Sequence, residues 1–309
     1  MREDGRGRVE LRVRAPAKVN LYLEVKGGRP DGYHEISSVM QAVSLFDEMT
    51  LALADAGGIA LSCSHPALPT DERNLVTRAG LLLRRRYGVT QGASISLLKR
   101  VPLGGGLGGG SSDAAIALLA LSQLWGLNAR LRELAELAAE LGSDVPYFLW
   151  GGTALCEGRG ERVSPLPSQA MDYVLVMPPW SVSTPEVYAA LPTGLTERAT
   201  GSKNVMRALA GGDVDLLGTS LRNDLQESAL SLHEGLREVW SILKESREVC
   251  HARGLLLSGS GSSFLVLVRG RREARRAADL LASTLSVSCA AVHSLPAWDG
   301  RLLPLTLRR

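Results

Sequence analysis

The chain has 309 residues, 45% of them hydrophobic and 22% charged, the composition of a globular protein with material for a sizeable core. A net charge of +3 and 5% aromatic residues argue against a nucleic-acid binder, which needs a basic surface or stacking platforms. The four cysteines, Cys63, Cys156, Cys250 and Cys289, form no C-x-x-C pair, so free thiols in a reducing cytosol are expected rather than a metal or disulfide framework.

Residues 1–7, rich in Gly, Arg and acids, read as disordered, and Met1–Arg14 lacks the apolar core of a signal peptide. No stretch reaches the ~20 apolar residues of a membrane span, so a cytoplasmic protein without membrane contact is expected. Val9–Arg14 and Val19–Val25 alternate apolar and polar residues and predict strands, followed by a turn over Gly27–Gly32. Further strands are predicted at Ile36–Leu45, Met49–Ala54 and Ala93–Leu98. Asn74–Tyr87 reads as a helix, with Leu75, Ala79 and Leu82 at helical spacing. A buried helix should begin near Ser111 and reach Trp125; a second follows over Ala129–Leu141, then a strand at Gly151–Cys156. The prolines of Ser164–Ser168 mark the best domain boundary, giving domains 1–166 and 167–309. Beyond it come a strand (Tyr173–Met177), a helix (Leu232–Ala252), strands Leu255–Leu257 and Phe264–Val268, a helix (Glu273–Thr284) and a strand (Val287–His293). That β-α-β-β-α-β order is compatible with a ferredoxin-like half, so the fold class is α+β with two lobes. Arginines cluster at 84–86 and 269–276 on helix-like segments and read as solvated faces.

The most informative stretch is Pro102-Leu103-Gly104-Gly105-Gly106-Leu107-Gly108-Gly109-Gly110-Ser111-Ser112, lying between an apolar strand and an apolar helix. Free N–H groups ahead of a helix N-terminus, helped by the helix dipole, make a phosphate site. A Walker A loop is excluded, because no lysine follows the glycines. Gly104, Gly106 and Gly109 do satisfy G-x-G-x-x-G, but a turn and another helix stand where the dinucleotide fold needs a second strand ending in an acid. A flexible linker would be polar and Ser-rich, which this setting is not. A polyphosphate cradle for a nucleoside triphosphate is the inference.

The string from Pro102 to Ala115 resembles the ATP loop of the GHMP kinases, and four further segments agree in order. They are Ala15–Leu21, Asp31–His34, Leu141–Phe148 and Ser258–Phe264, with Asn223-Asp224-Leu225 also fitting. The Asp-Gly-Tyr-His segment and the doubled triple glycine are similar to the branch whose acceptor is a cytidine diphospho-alcohol. The resemblance implies a two-lobed fold, with an N-terminal β-α-β ATP lobe and a C-terminal ferredoxin-like substrate lobe. It also implies ATP-dependent phosphorylation of the acceptor's 2-hydroxyl, in non-mevalonate isoprenoid biosynthesis; the oligomeric state is left open between monomer and homodimer.

Residue by residue, the resemblance implies that Asp144 is the base or orienter of that hydroxyl and that Lys18 pairs with it. Read from the residues alone, Ser143-Asp144-Val145-Pro146 is also a helix start, so Asp144 is a cap, a base, or both. ATP would lie on Pro102, Gly104, Gly105, Gly106, Leu107, Gly108, Gly109 and Gly110, with hydroxyls from Ser111 and Ser112 and with Lys99 close to the nucleotide. The cytidyl substrate would meet Asn20, Tyr33, His34, Thr184 and Tyr188, the tyrosines stacking and the histidine bonding the base edge. Mg²⁺ is expected with ATP, but no further acid lies between Asp113 and Glu133, so the ion would be held mainly by phosphates and water. Two alternatives remain at this point: another GHMP small-molecule kinase, for homoserine or mevalonate, and a nucleotide- or RNA-binding protein without catalysis.

Overall fold

The computed structural model describes residues 2–3, 9–55, 57–192 and 201–302. The first lobe comprises β1 (Arg2–Glu3), β2 (Val9–Gly28), β3 (His34–Ala54), β4 (Ile59–Cys63), α1 (Leu75–Tyr87) and β5 (Gly92–Leu98). It continues with α2 (Gly109–Leu124), α3 (Leu131–Leu141), α4 (Tyr147–Trp150), β6 (Thr153–Gly158) and β7 (Arg162–Leu166). The second part holds β8 (Asp172–Met177), α5 (Thr184–Ala189), α6 (Lys203–Gly211), α7 (Val214–Ser220), β9 (Arg222–Asn223) and α8 (Gln226–Leu232). It ends with α9 (Glu234–Glu245), β10 (Gly254–Leu257), β11 (Phe264–Val268), α10 (Arg271–Leu285) and β12 (Ser288–His293).

The larger sheet runs β1-β2-β3-β5-β4, with β6 and β7 added along the far half of β3 and β9 lying parallel to β2. The smaller sheet has the order β10-β11-β8-β12, every pair antiparallel. With α9 and α10 as its crossovers, this is the ferredoxin-like arrangement predicted from the sequence.

Several boundaries differ from the sequence reading, each for a local reason. β2 and β3 are continuous strands of 20 and 21 residues where two pairs of shorter ones were predicted. Register shifts at Pro16/Ala17, Asn20/Tyr22 and Val25/Gly27 break the alternation on which that reading depended. The predicted helix 232–252 is interrupted at His233, whose extended backbone and ring nitrogen cap α9, and α9 ends at Glu245. Pro165 does not end regular structure: it sits in β7, which pairs only with β6 and so tolerates a missing N–H. α2 starts at Gly109, two residues earlier than expected. Within the stretch read as disordered, Arg2–Glu3 pairs with β2, and residues 1 and 4–7 lie outside the described residues.

The helix α2 organises the first lobe. It is apolar nearly all round, and Ala114 to Leu121 are buried without exception, as a helix of that composition must be. It packs among α1, α3 and the sheet residues Val13, Ala15, Met40 and Leu51. A separate core made of Val19, Leu21, Val39, Leu107, Tyr173, Leu175, Leu265 and Leu267 joins the two sheets. The N-terminus of α2 is thereby held between the lobes. Among the described residues, no helix is long and apolar enough to cross a membrane.

Candidate active site

The glycine run forms the floor of a cleft of about 810 Å³ between the lobes. Gly106 has φ +72°, and a Cβ there would collide with the carbonyl of Ser258. Gly108, at φ +68°, is the N-cap of α2, and its Cβ would come within 3.0 Å of both Lys18 and Phe148. No other residue type supplies that conformation and that closeness together. The loop is bonded on both sides. The Lys18 amide donates to Leu107 O at 3.0 Å, and the Ser263 amide donates to Gly105 O at 3.1 Å. Ser258 Oγ donates to Gly106 O at 3.1 Å. The second wall is the glycine turn of residues 258–263, held in place by Asn223, whose side-chain amide donates to the carbonyls of Leu257 (2.8 Å) and Gly259 (2.6 Å).

Lys18 and Asn20 leave β2 on the same face, between two of its bulges. The buried Lys18 ammonium donates to Asn20 Oδ1 at 2.6 Å and lies 3.7 Å from Asp144 Oδ2. Asn20 is locked in turn by donating to Ser38 Oγ at 2.8 Å. Asp144 sits in the turn before α4 with its side chain 30% exposed, and α4 has no side-chain cap bond, so this carboxylate is not spent on capping. It is the one acid lining the cleft among the described residues.

Farther along the cleft, His34 packs on Tyr188 with ring centroids 4.8 Å apart. Burial, and then the charge of Asp144, push the Tyr188 hydroxyl's pKa up and keep it neutral. Thr184 shares a hydrogen bond with Ser260 at 2.7 Å, which ties the substrate-side segment to the glycine turn. Tyr33 is 51% exposed, and its ring lies under the guanidinium of Arg159 at 4.7 Å.

The cleft therefore gathers Lys18, Asn20, Tyr33, His34, Pro102, residues 104–111, Asp144, Thr184 and Tyr188. Ser112 and Lys99 are elsewhere. Ser112 is fully buried behind the loop, and Lys99 turns inward to pair with Asp47 and with Asp113, at 2.7 Å from the latter. Arg159 was missed by the sequence reading, because a lone arginine in Glu157-Gly158-Arg159-Gly160 carries no pattern.

The family profile described as the GHMP kinases N terminal domain matches residues 74–152, and that of the GHMP kinases C terminal matches residues 205–286. The two-lobed chain that carries this cleft is thus a GHMP kinase, an enzyme that phosphorylates small molecules. The chain is 39% identical over 296 residues to 4-diphosphocytidyl-2-C-methyl-D-erythritol kinase of Brevibacillus brevis, covering 96% of this chain and all of that protein. It is 43% identical over 265 residues to the enzyme of that name from Pelotomaculum thermopropionicum, covering 85% and 91%. The crystal structure of a 4-(cytidine 5'-diphospho)-2C-methyl-D-erythritol kinase superposes with a TM-score of 0.78 at 36% identity, over 92% of this chain and 99% of that one. The chain belongs to the family of these relatives, the 4-diphosphocytidyl-2-C-methyl-D-erythritol kinases.

Proposed function

We propose that this chain transfers the γ-phosphoryl group of ATP to the 2-hydroxyl of 4-diphosphocytidyl-2-C-methyl-D-erythritol. The observation that carries the reading is the Lys18–Asp144 pair, 3.7 Å apart, facing the amides of the glycine loop across one cleft. Phosphoryl transfer asks for positioning and charge stabilisation more than for covalent chemistry. The acceptor oxygen forms a bond to the γ-phosphorus while the bond to the β,γ-bridging oxygen breaks and ADP leaves. Asp144 orients the hydroxyl and receives its proton late in the transfer, with the Lys18 ammonium 3.7 Å away. Lys18 also faces the charge that develops on the transferred group.

Main-chain N–H groups of residues 104–111 hold the triphosphate at the N-terminus of α2. Mg²⁺ enters with ATP. Among the described residues no cluster of three acids, histidines or cysteines could cage an ion, and Mg²⁺ held by phosphates, water and few protein groups suits such a cleft. Tyr33, His34 and Tyr188 line the aromatic end of the cleft suited to the cytosine, and Arg159 adds positive charge over the Tyr33 ring. An acceptor lacking a nucleobase would make no use of this aromatic end, which disfavours homoserine or mevalonate as the substrate.

A coupled assay of ADP release tests the reading with three acceptor conditions: the cytidine diphospho-alcohol, homoserine, and none. Turnover is expected with the first alone. Stimulation by homoserine alone would refute the substrate, and no turnover under any condition would refute the kinase.

A further inference from the structure

Behind the glycine loop lies a charged cluster that the transfer chemistry does not use. Asp47 of β3 has a fully buried side chain, and those of Lys99 and Asp113 are each 3% exposed. The Lys99 ammonium donates to both carboxylates, reaching Asp113 Oδ2 at 2.7 Å. Asp47 Oδ1 also accepts the amides of Arg100 (2.5 Å) and Val101 (2.9 Å), which fixes the chain as it enters the loop. A Cβ on Gly109, the first residue of α2, would stand 3.2 Å from Lys99 Nζ. The cluster therefore touches both ends of the phosphate cradle. Asp113 Oδ1 and Ser112 Oγ beside it are buried with no hydrogen-bond partner.

Two carboxylates share one ammonium here. With both ionised the cluster carries one net negative charge, buried beneath amides that must hold a polyanion. Like charges at short range in a dry interior oppose one another. A proton on the carboxylate pair removes the excess charge, and Asp113 Oδ1 has no donor that such a proton would displace. We propose that Asp47, Lys99 and Asp113 are positioning residues for the phosphate loop, and that the carboxylate pair takes up a proton when a nucleoside triphosphate binds above it. This rests on the ATP reading of the cleft.

Burial pushes the Asp113 carboxyl up to about 7, with Asp47 adding to the rise and Lys99 opposing it. Burial works against the charge on Lys99, but the two carboxylates outweigh it and hold the ammonium charged. The neighbouring elements contribute other charges at greater remove. β2 brings Lys18, and the turn before α4 brings Asp144, both on the cleft side of the loop. Arg78 of α1, and Arg132, Glu136 and Glu140 of α3, are turned to solvent. Triphosphate binding favours the protonated pair and so raises this pKa further. Below the free value both states already hold the proton. Above it, binding must recover the proton, so affinity falls as pH rises from about 7 toward the value in the complex.

The test is calorimetric titration of the full chain with a non-hydrolysable ATP analogue and Mg²⁺. Runs at pH 6 and pH 8 in buffers of different ionisation enthalpy report the protons exchanged. Uptake approaching one proton at pH 8, and little at pH 6, is expected for the wild type. Asp113→Asn, of the same shape and without a titrating group, should lose the uptake. The wild-type Kd should also rise by up to tenfold per pH unit above 7, while that of the variant stays flat. Binding without uptake at pH 8, or equal uptake in both proteins, would overturn the proposal and leave the ATP reading intact. If the variant does not fold, the wild-type pair of pH values alone decides. No binding at either pH would overturn both readings.

Discussion

Lys18 illustrates how little room single residues have in this cleft. Its ammonium is buried, anchored by Asn20 and aimed at Asp144, so the pair is preorganised before any substrate arrives. Replacing Asp144 by Asn keeps the shape and removes the proton acceptor. Steady-state kinetics should show kcat reduced by roughly 10²- to 10⁴-fold, the usual worth of a positioned acid–base group, with the KM for ATP little changed. Turnover at the wild-type rate would take Asp144 out of the chemistry. The pairing of Lys18 with Asp144 was expected only from the family resemblance of the motifs that hold them, and the two do stand 3.7 Å apart. Arg159, Asp47 and Asp113 were not legible in the sequence, for a physical reason. Their roles come from what they meet in space, a tyrosine ring for the first and Lys99 for the other two, and nothing in their local sequence announces the partner.

Among the elements, the loop and the helix behind it offer the sharpest contrast. Gly106 and Gly110 are equivalent in the sequence, yet their surroundings are opposite. Around Gly106 the second lobe leaves no space and φ is positive, whereas around Gly110 nothing lies within 4 Å of a new Cβ. Gly106→Ala should lower Tm by several degrees and weaken ATP binding more than tenfold, since strain at such a position costs about 1–3 kcal/mol. Gly110→Ala should keep or raise Tm, because alanine in a helix gains roughly 0.5–1 kcal/mol over glycine. Its KM for ATP should still rise, as Gly110 lines the cleft. Thermal melts and ATP saturation curves of the two variants check both statements. The cradle itself was readable from composition, since an apolar strand and an apolar helix flank six glycines. The short helices α5 to α8 escaped notice because segments of 6 to 9 residues show barely two turns of period.

For the molecule as a whole, the chain's path after β12 matters most. Leaving the second sheet, it returns to the first lobe: the amides of Trp298 and Gly300 donate to Trp150 O at 2.9 Å and Leu149 O at 2.8 Å. The Trp298 indole, 5% exposed, donates to Phe148 O at 3.0 Å and covers Gly151. This crossing supplies partners to carbonyls that the single-turn helix α4 leaves open, directly after Asp144. Trp298→Phe should cost about 1 kcal/mol for the lost hydrogen bond, and Trp298→Ala about 3–5 kcal/mol for the cavity, read from urea unfolding curves. Equal and negligible losses would show that the return path is ornamental. Nothing in the local pattern marks this return path, because one tryptophan near prolines looks like any surface loop.

The hydrogen bonds from Ser258 and Ser263 to Gly106 and Gly105 join chain segments some 150 residues apart at the very spot where phosphate would sit. Neither half of the polypeptide can therefore mature a nucleotide seat by itself. An occupant of the cradle would touch both lobes at once, so its binding would stabilise each of them.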